Sequence, residues 1–136
     1  MSRPNRVPVI LLVEDSEDDA YFFKRTLKKS GADQAVIWLQ DGRSAIDYLE
    51  ENRPDIIFLD LKLPSLTGFD VLQWLTTRAG TCDAPVIVLS GSDHAVDIDR
   101  SIALGARGYL VKPVNLPQLQ MLLGDHSLGR NLEIPL

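Results

Sequence analysis

Four apolar segments of this chain each end in side chains that could take part in chemistry. In PDIIFLDLKLPSLTG, Asp60 directly follows the run Ile56–Leu59 and precedes a proline and a glycine. A charge is costly inside a buried strand, so the carboxylate is expected at the strand's end, within reach of other polar groups. The other segments end in Glu14 and Asp15 after VPVILLV, in Ser90 after APVIVL, and in Lys112 after GYLV.

Together these side chains suit the chemistry of a phosphoryl group. Carboxylates held close together raise one another's pKa, and a hard divalent cation relieves their repulsion. Mg²⁺ prefers oxygen ligands and is commonly held by one or two carboxylates together with a phosphate. Lys112 adds a compact positive charge for a phosphoryl oxygen, and Ser90 adds a hydroxyl donor. The set predicts phosphoryl transfer onto Asp60, with the aspartate as nucleophile.

Short apolar segments alternate with longer amphipathic ones along the sequence. Asp41 and Asn115 are the expected caps of the second and fifth helices, and Gly105 is the expected end of the fourth. The alternation predicts an α/β fold with a doubly wound, five-stranded parallel sheet. The predicted strands lie in VPVILLVED, AVIWLQ, DIIFLD, APVIVLSG and GYLVK, and the predicted helices in SEDDAYFFKRTLKKSG, SAIDYLEEN, GFDVLQWLTT, AVDIDRSIALG and NLPQLQMLLG.

The order of the strands decides whether the chemically active residues meet. In doubly wound sheets, ligands bind beyond the carboxyl ends of the strands, at the point where the strand order reverses. In the flavodoxin-like order 2-1-3-4-5, the first and third strands are neighbours at that point. This order predicts that Glu14, Asp15 and Asp60 lie together, with Ser90 and Lys112 at the same edge of the sheet.

Length and composition fit a single domain. The 136 residues are enough for one core, predicted over residues 9–124 between an N-terminal extension (1–8) and a C-terminal tail (125–136). The net charge of −5 argues against nucleic acid as a partner. Cys82 is the only cysteine, which excludes an internal disulfide. The apolar run near the start is too short to span a bilayer, so a cytoplasmic location without membrane contact is expected.

The ordered set of motifs resembles a response-regulator receiver domain of two-component signalling, the CheY-like family. The acidic pair ED, the acceptor in FLDLKLPSLTG, the hydroxyl in VIVLSG and the lysine in LVKP match that family in order, type and spacing. The resemblance covers roughly Val9 to Leu123. In finer detail, LLVEDSEDDAYFFKRTLKKSG and DGRSAIDYLE, with DLKLPSLTG, are similar to single-domain regulators that partner phytochrome-type or other hybrid kinases.

The resemblance implies a role for each residue of the site. Asp60 would be phosphorylated, and Lys112 would pair with the phosphoryl group. Mg²⁺ would be held directly by Asp15 and Asp60, through water by Glu14, and by the backbone carbonyl of Lys62. The remaining implied site residues are Ser90 as the switch hydroxyl, Tyr109 as the switch aromatic, Pro113 after a cis peptide bond, and Gly68 at the end of the acceptor motif.

The resemblance also implies a function in a phosphorelay. A histidine kinase or phosphotransfer protein would phosphorylate Asp60, and the chain would then switch a surface that contacts a downstream protein. It would be a signalling protein rather than an enzyme. The tail is open to two interpretations, disorder or packing against a partner, and its apolar end motivates the hypothesis of a homodimer.

Two other functions stay open. One is a pseudo-receiver that keeps the fold without being phosphorylated. The other is an aspartyl-phosphate phosphatase of the haloacid-dehalogenase type. Those enzymes resemble this chemistry but carry the nucleophile on their first strand and an aspartate two residues later, where this chain has Lys62.

Taken singly, several of these residues have purely structural explanations. Glu14 and Asp15 could cap the following helix, and Tyr109 could be a half-buried strand aromatic. Trp38 is expected to serve packing. Lys62 and Ser92 each lie two residues beyond a site residue and are expected to flank the path of a water that attacks the phosphoryl group. Lys62 is hypothesised to tune how long that group survives.

Overall fold

Strands and helices alternate through the computed structural model, which describes residues 7–31, 35–77 and 84–123. The strands are β1 (Val9–Val13), β2 (Ala35–Leu39), β3 (Ile56–Asp60), β4 (Val86–Ser90) and β5 (Gly108–Val111). The helices are α1 (Glu17–Lys29), α2 (Gly42–Glu51), α3 (Gly68–Thr76), α4 (Ala95–Ala103) and α5 (Leu116–Leu123).

All five strands join one parallel sheet in the order β2-β1-β3-β4-β5. The predicted fold class and strand order are therefore confirmed. The register pairs Val13 of β1 with Leu59 of β3, and Asp60 with Leu89 of β4. Because parallel strands end at the same edge, this register brings the residues that follow β1 next to Asp60.

The sheet separates two apolar layers. Ile10 and Leu12 of β1 face the layer that contains α1 and α5, whereas Leu11 and Val13 face the layer that contains α2 and α3. All four side chains are fully buried, which explains why β1 reads as a continuous apolar run rather than an alternating one. In the first layer, the rings of Phe23 and Phe58 pack with their centroids 4.7 Å apart.

Two strands begin later than the sequence predicts, and proline explains both differences. β1 begins at Val9 rather than Val7, and β4 begins at Val86 rather than Ala84. Pro8 and Pro85 have no N–H to donate to a neighbouring strand, although each accepts a backbone hydrogen bond through its carbonyl. Ladder pairing thus starts one residue beyond each proline.

Helix ends follow the predicted signals. Asn115 Oδ1 accepts the backbone N–H of Gln118 at 2.8 Å, as expected of the α5 cap. Gly105, with φ +105°, lies just beyond α4 in the left-handed region that glycine adopts at low cost. Within the described residues, no helix is long and apolar enough to cross a membrane.

Asp41 supplies a testable contribution to the stability of α2. Its Oδ1 accepts the Ser44 backbone N–H at 2.7 Å, and the hydrogen bonds to Ser44 hold the pKa of Asp41 below its usual value. Asp41→Ala should lower the free energy of unfolding by about 1 kcal/mol at neutral pH, measured by urea titration. Because the folded-state pKa is lowered, the difference between variant and wild type should be complete above the ordinary aspartate pKa of 3.8 and should shrink as pH falls below it, through the folded-state pKa. A difference that is independent of pH would contradict this assignment.

Candidate functional site

The phosphoacceptor candidate lies at the end of a fully buried strand. Asp60 is the last residue of β3 and is itself buried. Its Oδ1 accepts the backbone N–H of Lys62 at 3.1 Å, which orients the carboxylate toward the loop after β3. Asp60 and the exposed Lys62 both line a cavity at this edge of the sheet.

Gly68 lets the loop after β3 fold back against Asp60. Its N–H donates to the Leu61 carbonyl at 2.9 Å, and this contact brings the start of α3 close to the end of β3. A Cβ at position 68 would overlap the backbone carbonyl of Asp60 and the Cα of Leu61. A side chain at this position is thus incompatible with the observed path of the acceptor loop.

The two acidic residues after β1 lie beside Asp60. Glu14, Asp15 and Asp60 each offer a carboxylate oxygen, and these oxygens lie within 4.8 Å of one another. The cap of α1 is Ser16, whose Oγ accepts the Asp19 backbone N–H at 3.2 Å. Neither Glu14 nor Asp15 is the N-cap of α1, although Glu14 Oε2 accepts the Ser16 backbone N–H at 3.2 Å.

Glu14 is a buried carboxyl group at the centre of this cluster. Only 1% of the residue is exposed, and its backbone N–H is bound to the Leu39 carbonyl of β2. Burial, reinforced by the charge of Asp60, raises the pKa of Glu14 to about 7, while the hydrogen bond from Lys112 opposes this rise. Glu14 therefore changes charge close to neutral pH.

Lys112 lies among the carboxylates rather than in solvent. Its Nζ is 3.0 Å from Glu14 Oε1, 2.9 Å from Asp19 Oδ2 and 3.3 Å from Asp60 Oδ2. Burial alone would lower the pKa of Lys112, but the hydrogen bonds to Asp19 and Glu14 and the charge of Asp60 hold it above its usual range. The peptide bond between Lys112 and Pro113 is cis, in agreement with the expectation.

This set of donors fits a hard divalent cation. Three carboxylate oxygens lie close enough together to surround one ion, and such oxygens are the ligands that Mg²⁺ prefers. The carboxylates border an open cavity of about 620 Å³, which leaves room for waters and a phosphoryl group beside an ion. The structure therefore brings together Glu14, Asp15, Asp60 and Lys112, as the strand order predicts. The roles of Lys62 as a carbonyl ligand and of Glu14 as a water-mediated one stay predictions.

Ser90 and Tyr109 are linked through the loop after β4. Ser90 ends β4, is completely buried, and accepts the Ser92 backbone N–H on its Oγ at 3.1 Å. The half-buried Tyr109 donates its hydroxyl to the Ser92 carbonyl at 2.8 Å. Ser92 Oγ in turn donates to Asp97 Oδ2 of α4 at 2.8 Å. Ser92 thus links Ser90 at the end of β4 and Tyr109 of β5 to α4.

Two contacts of the site have no signal in the sequence that would have revealed them. The indole N–H of Trp38 donates to the Glu14 carbonyl at 2.8 Å, and Asp19 contacts Lys112. Trp38 was expected only to pack against apolar side chains. The segment SEDDA, which contains Asp19, is typical of the acidic first turn of a helix. The hydrogen bond makes Trp38 a fluorescent reporter at the edge of the carboxylate cluster.

The pKa of Glu14 predicts how the affinity for Mg²⁺ depends on pH. A cation favours the carboxylate form, so binding must displace the proton that Glu14 holds below pH 7. The Kd for Mg²⁺, measured by Trp38 fluorescence, should rise about tenfold between pH 8 and pH 6. Glu14→Gln should bind more weakly at pH 8 and lose most of this dependence. The same slope in wild type and Glu14→Gln would refute the role of Glu14.

The fold and this pocket place the chain among CheY-like α/β domains, in which an acidic pocket lies at the switch point of a 2-1-3-4-5 sheet. A family model described as the response regulator receiver domain matches residues 10–123. The chain belongs to the response regulator receiver domain family.

Several response regulators, two of them named as phytochrome response regulators, are similar to this chain. The response regulator Rcp1 of Synechocystis sp. is 37% identical over 131 residues, which cover 90% of this chain and 89% of Rcp1. The solved Mn²⁺-bound form of Rcp1 has a TM-score of 0.76 and 33% identity, covering 95% of this chain and 99% of that one. The bacteriophytochrome response regulator AtBRR has a TM-score of 0.79 and 32% identity, covering 96% and 97% of the two chains. The phosphorylated cyanobacterial phytochrome response regulator RcpA has a TM-score of 0.75 and 34% identity, covering 87% and 89%.

Proposed function

We propose that this chain accepts a phosphoryl group on Asp60 and transmits a signal by changing the surface that it presents to a partner protein. The observation that carries the proposal is the position of Lys112, whose ammonium lies 3.3 Å from the acceptor carboxylate within a cluster of three acids able to hold a cation. Similarity to the Mn²⁺-bound response regulator Rcp1 and to the phosphorylated phytochrome response regulator RcpA supports it.

Each side chain of the site has its own role in the phosphoryl transfer. A carboxylate oxygen of Asp60 attacks the phosphorus of a phosphohistidine, an O–P bond forms, and the P–N bond breaks as the imidazole leaves. Lys112 neutralises the oxygens of the arriving phosphoryl group. Asp15 and Asp60, with Glu14 near them, would hold Mg²⁺, which would offset the negative charge that the carboxylate and the phosphoryl group bring together.

The response to phosphorylation begins at Ser90. The Ser90 hydroxyl turns toward the phosphoryl group and gives up its contact with the Ser92 N–H. The loop after β4 then shifts, and with it the acceptor of the Tyr109 hydroxyl. The surface formed by α4 and β5 changes between two states, and the added negative charge biases the equilibrium between them.

The partners follow from this function. The donor is a sensor histidine kinase or a phosphotransfer protein, and the similarity to regulators named for bacteriophytochrome and cyanobacterial phytochrome points to a kinase of that type. Output is through contact with a downstream protein. The homodimer hypothesis depends on the tail, which lies outside the described residues. Light scattering that shows only monomer, with and without beryllofluoride, would count against a homodimer. The cytoplasmic location stays a prediction.

Beryllofluoride with Mg²⁺ separates this function from its alternatives. A receiver should bind the phosphoryl mimic at Asp60 only when Mg²⁺ is present, with a change in Trp38 fluorescence that chelation reverses. A pseudo-receiver should show no response. A phosphatase should release inorganic phosphate from a small phosphoester, yet here the nucleophile candidate ends β3 and Lys62 stands where such an enzyme has its acid.

Lys62 is proposed to set the lifetime of the phosphorylated form. Its long side chain is exposed at the cavity that Asp60 also lines, so it can shield a phosphoryl group on Asp60 from water. Lys62→Asn should shorten the lifetime several-fold, because a short amide leaves space for water and can orient it. Phosphate release after removal of acetyl phosphate measures this. Lys62→Met is the control for loss of charge at similar side-chain length. An unchanged lifetime of the phosphorylated form in Lys62→Asn would contradict this proposal.

A further inference from the structure

Lys112 has more carboxylate partners than the proposed reaction requires. Its ammonium carries three N–H bonds. Glu14, Asp19 and Asp60 each accept from Nζ, at 3.0, 2.9 and 3.3 Å. Every donor of the ammonium is therefore engaged, and an arriving phosphoryl oxygen can be bound only if one of these contacts is released.

The three partners differ in what they lose when the contact breaks. The side chains of Glu14 and Asp60 are 2% and 5% exposed, so water cannot readily replace Lys112 beside them. The side chain of Asp19 is 46% exposed, on the first turn of α1 at the rim of the cavity. Water can solvate Asp19 once Lys112 leaves, so this contact is the least costly to break.

We infer that Asp19 is a positioning residue that competes with the phosphoryl group for Lys112. This inference rests on the proposed function and adds a residue to its site. In the unphosphorylated chain Asp19 draws the ammonium toward the rim of the cavity. When a phosphoryl oxygen arrives beside Asp60, Lys112 moves inward and Asp19 is released to solvent. The contact therefore stabilises the unphosphorylated state and weakens binding of the phosphoryl group.

Removal of the Asp19 charge should strengthen binding of a phosphoryl mimic. The experiment measures the Kd of beryllofluoride at saturating Mg²⁺ by Trp38 fluorescence in the full chain. A partly exposed ion pair changes an equilibrium constant by a factor of about two to five, so Asp19→Asn should lower this Kd by that factor. High salt should reduce the gain, because it already weakens the Asp19–Lys112 pair in the wild type.

Asp18→Asn is the matched control. Asp18 is exposed in the same turn of α1, and among the described residues its side chain forms no hydrogen bond or ion pair. A general loss of negative charge near the site should affect both variants equally, whereas release of Lys112 should appear only in Asp19→Asn. Mg²⁺ affinity without beryllofluoride should change by the same factor in both variants, since no phosphoryl oxygen then competes for Lys112.

The outcomes are distinguishable. A lower Kd for Asp19→Asn than for Asp18→Asn supports the inference. Equal Kd values for the two variants, or weaker binding by Asp19→Asn, overturn it. Weaker binding would mean that Asp19 holds Lys112 in the position from which it binds the phosphoryl group. Failure of the wild type to bind beryllofluoride would instead contradict the proposed function itself. Urea unfolding of both variants confirms that each is folded.

Discussion

Replacing Lys112 with methionine should lower the rate of phosphorylation of Asp60 by about 10²- to 10³-fold, as expected when a donor to developing charge is removed. Lys112 is the one cation that the described residues place in contact with both Glu14 and Asp60. Methionine keeps much of the length and apolar stem but cannot neutralise a phosphoryl oxygen. The rate is measured with acetyl phosphate and Mg²⁺, by intact mass against time.

The same change should destabilise the fold in a pH-dependent manner. Without Lys112, the buried Glu14 carboxylate loses a charged partner, at a cost of about 1–3 kcal/mol. The pKa of Glu14, already raised to about 7, should rise further. Because a raised folded-state pKa means that stability falls as pH increases, the loss should be larger at pH 8 than at pH 6. Lys28→Met, which removes an exposed lysine from α1, should change neither the rate of phosphorylation nor the pH dependence of the free energy of unfolding. Similar effects of Lys28→Met and Lys112→Met would contradict the role of Lys112.

Gly68→Ala should impair phosphorylation because it alters the backbone that carries the acceptor. The added Cβ would overlap the Asp60 carbonyl and the Cα of Leu61, which are backbone atoms and cannot turn aside. Overpacking of this kind costs about 1–3 kcal/mol of folding free energy. The displaced Asp60 should also accept phosphoryl groups at least tenfold more slowly, since small errors in position are costly to catalysis.

Gly91 supplies the control for this prediction. It follows Ser90 at the same edge of the sheet, and a Cβ there would have no atom within 4 Å. Gly91→Ala should therefore leave both urea unfolding and the phosphorylation rate close to wild type. Equal losses in the two variants would mean that any added methyl group near the site is harmful. Wild-type behaviour of Gly68→Ala would show that the close approach to Asp60 is not required.

The residues that converge through the sheet could be predicted from the sequence. Glu14, Asp60, Ser90 and Lys112 each follow an apolar segment, and a parallel sheet brings such positions to one edge whatever their separation in the chain. The predicted helix caps Asp41 and Asn115 are also found, because capping depends on neighbours only three residues away.

Contacts that depend on side-chain direction could not be predicted. Asp19 and Lys112 are 93 positions apart, and no periodicity distinguishes Asp19 from the other acids at the start of α1. The hydrogen bond from Trp38 to the Glu14 carbonyl likewise depends on how the β2 edge strand is oriented toward the end of β1. The bond from the Ser92 hydroxyl to Asp97 could not be predicted either, and the place of Ser92 beside the path of water stays a prediction. Local sequence specifies elements and their ends, whereas these contacts depend on the assembled sheet.

We propose that the acidic pocket at the switch point accepts a phosphoryl group on the single carboxylate of Asp60. The most direct test is peptide mapping of the adduct formed with acetyl phosphate, in wild type and in Asp60→Asn. We predict one phosphoryl group in the peptide that spans β3, formed only when Mg²⁺ is present during the reaction and absent from the variant. A stable adduct on another residue, or equal labelling of Asp60→Asn, would contradict it.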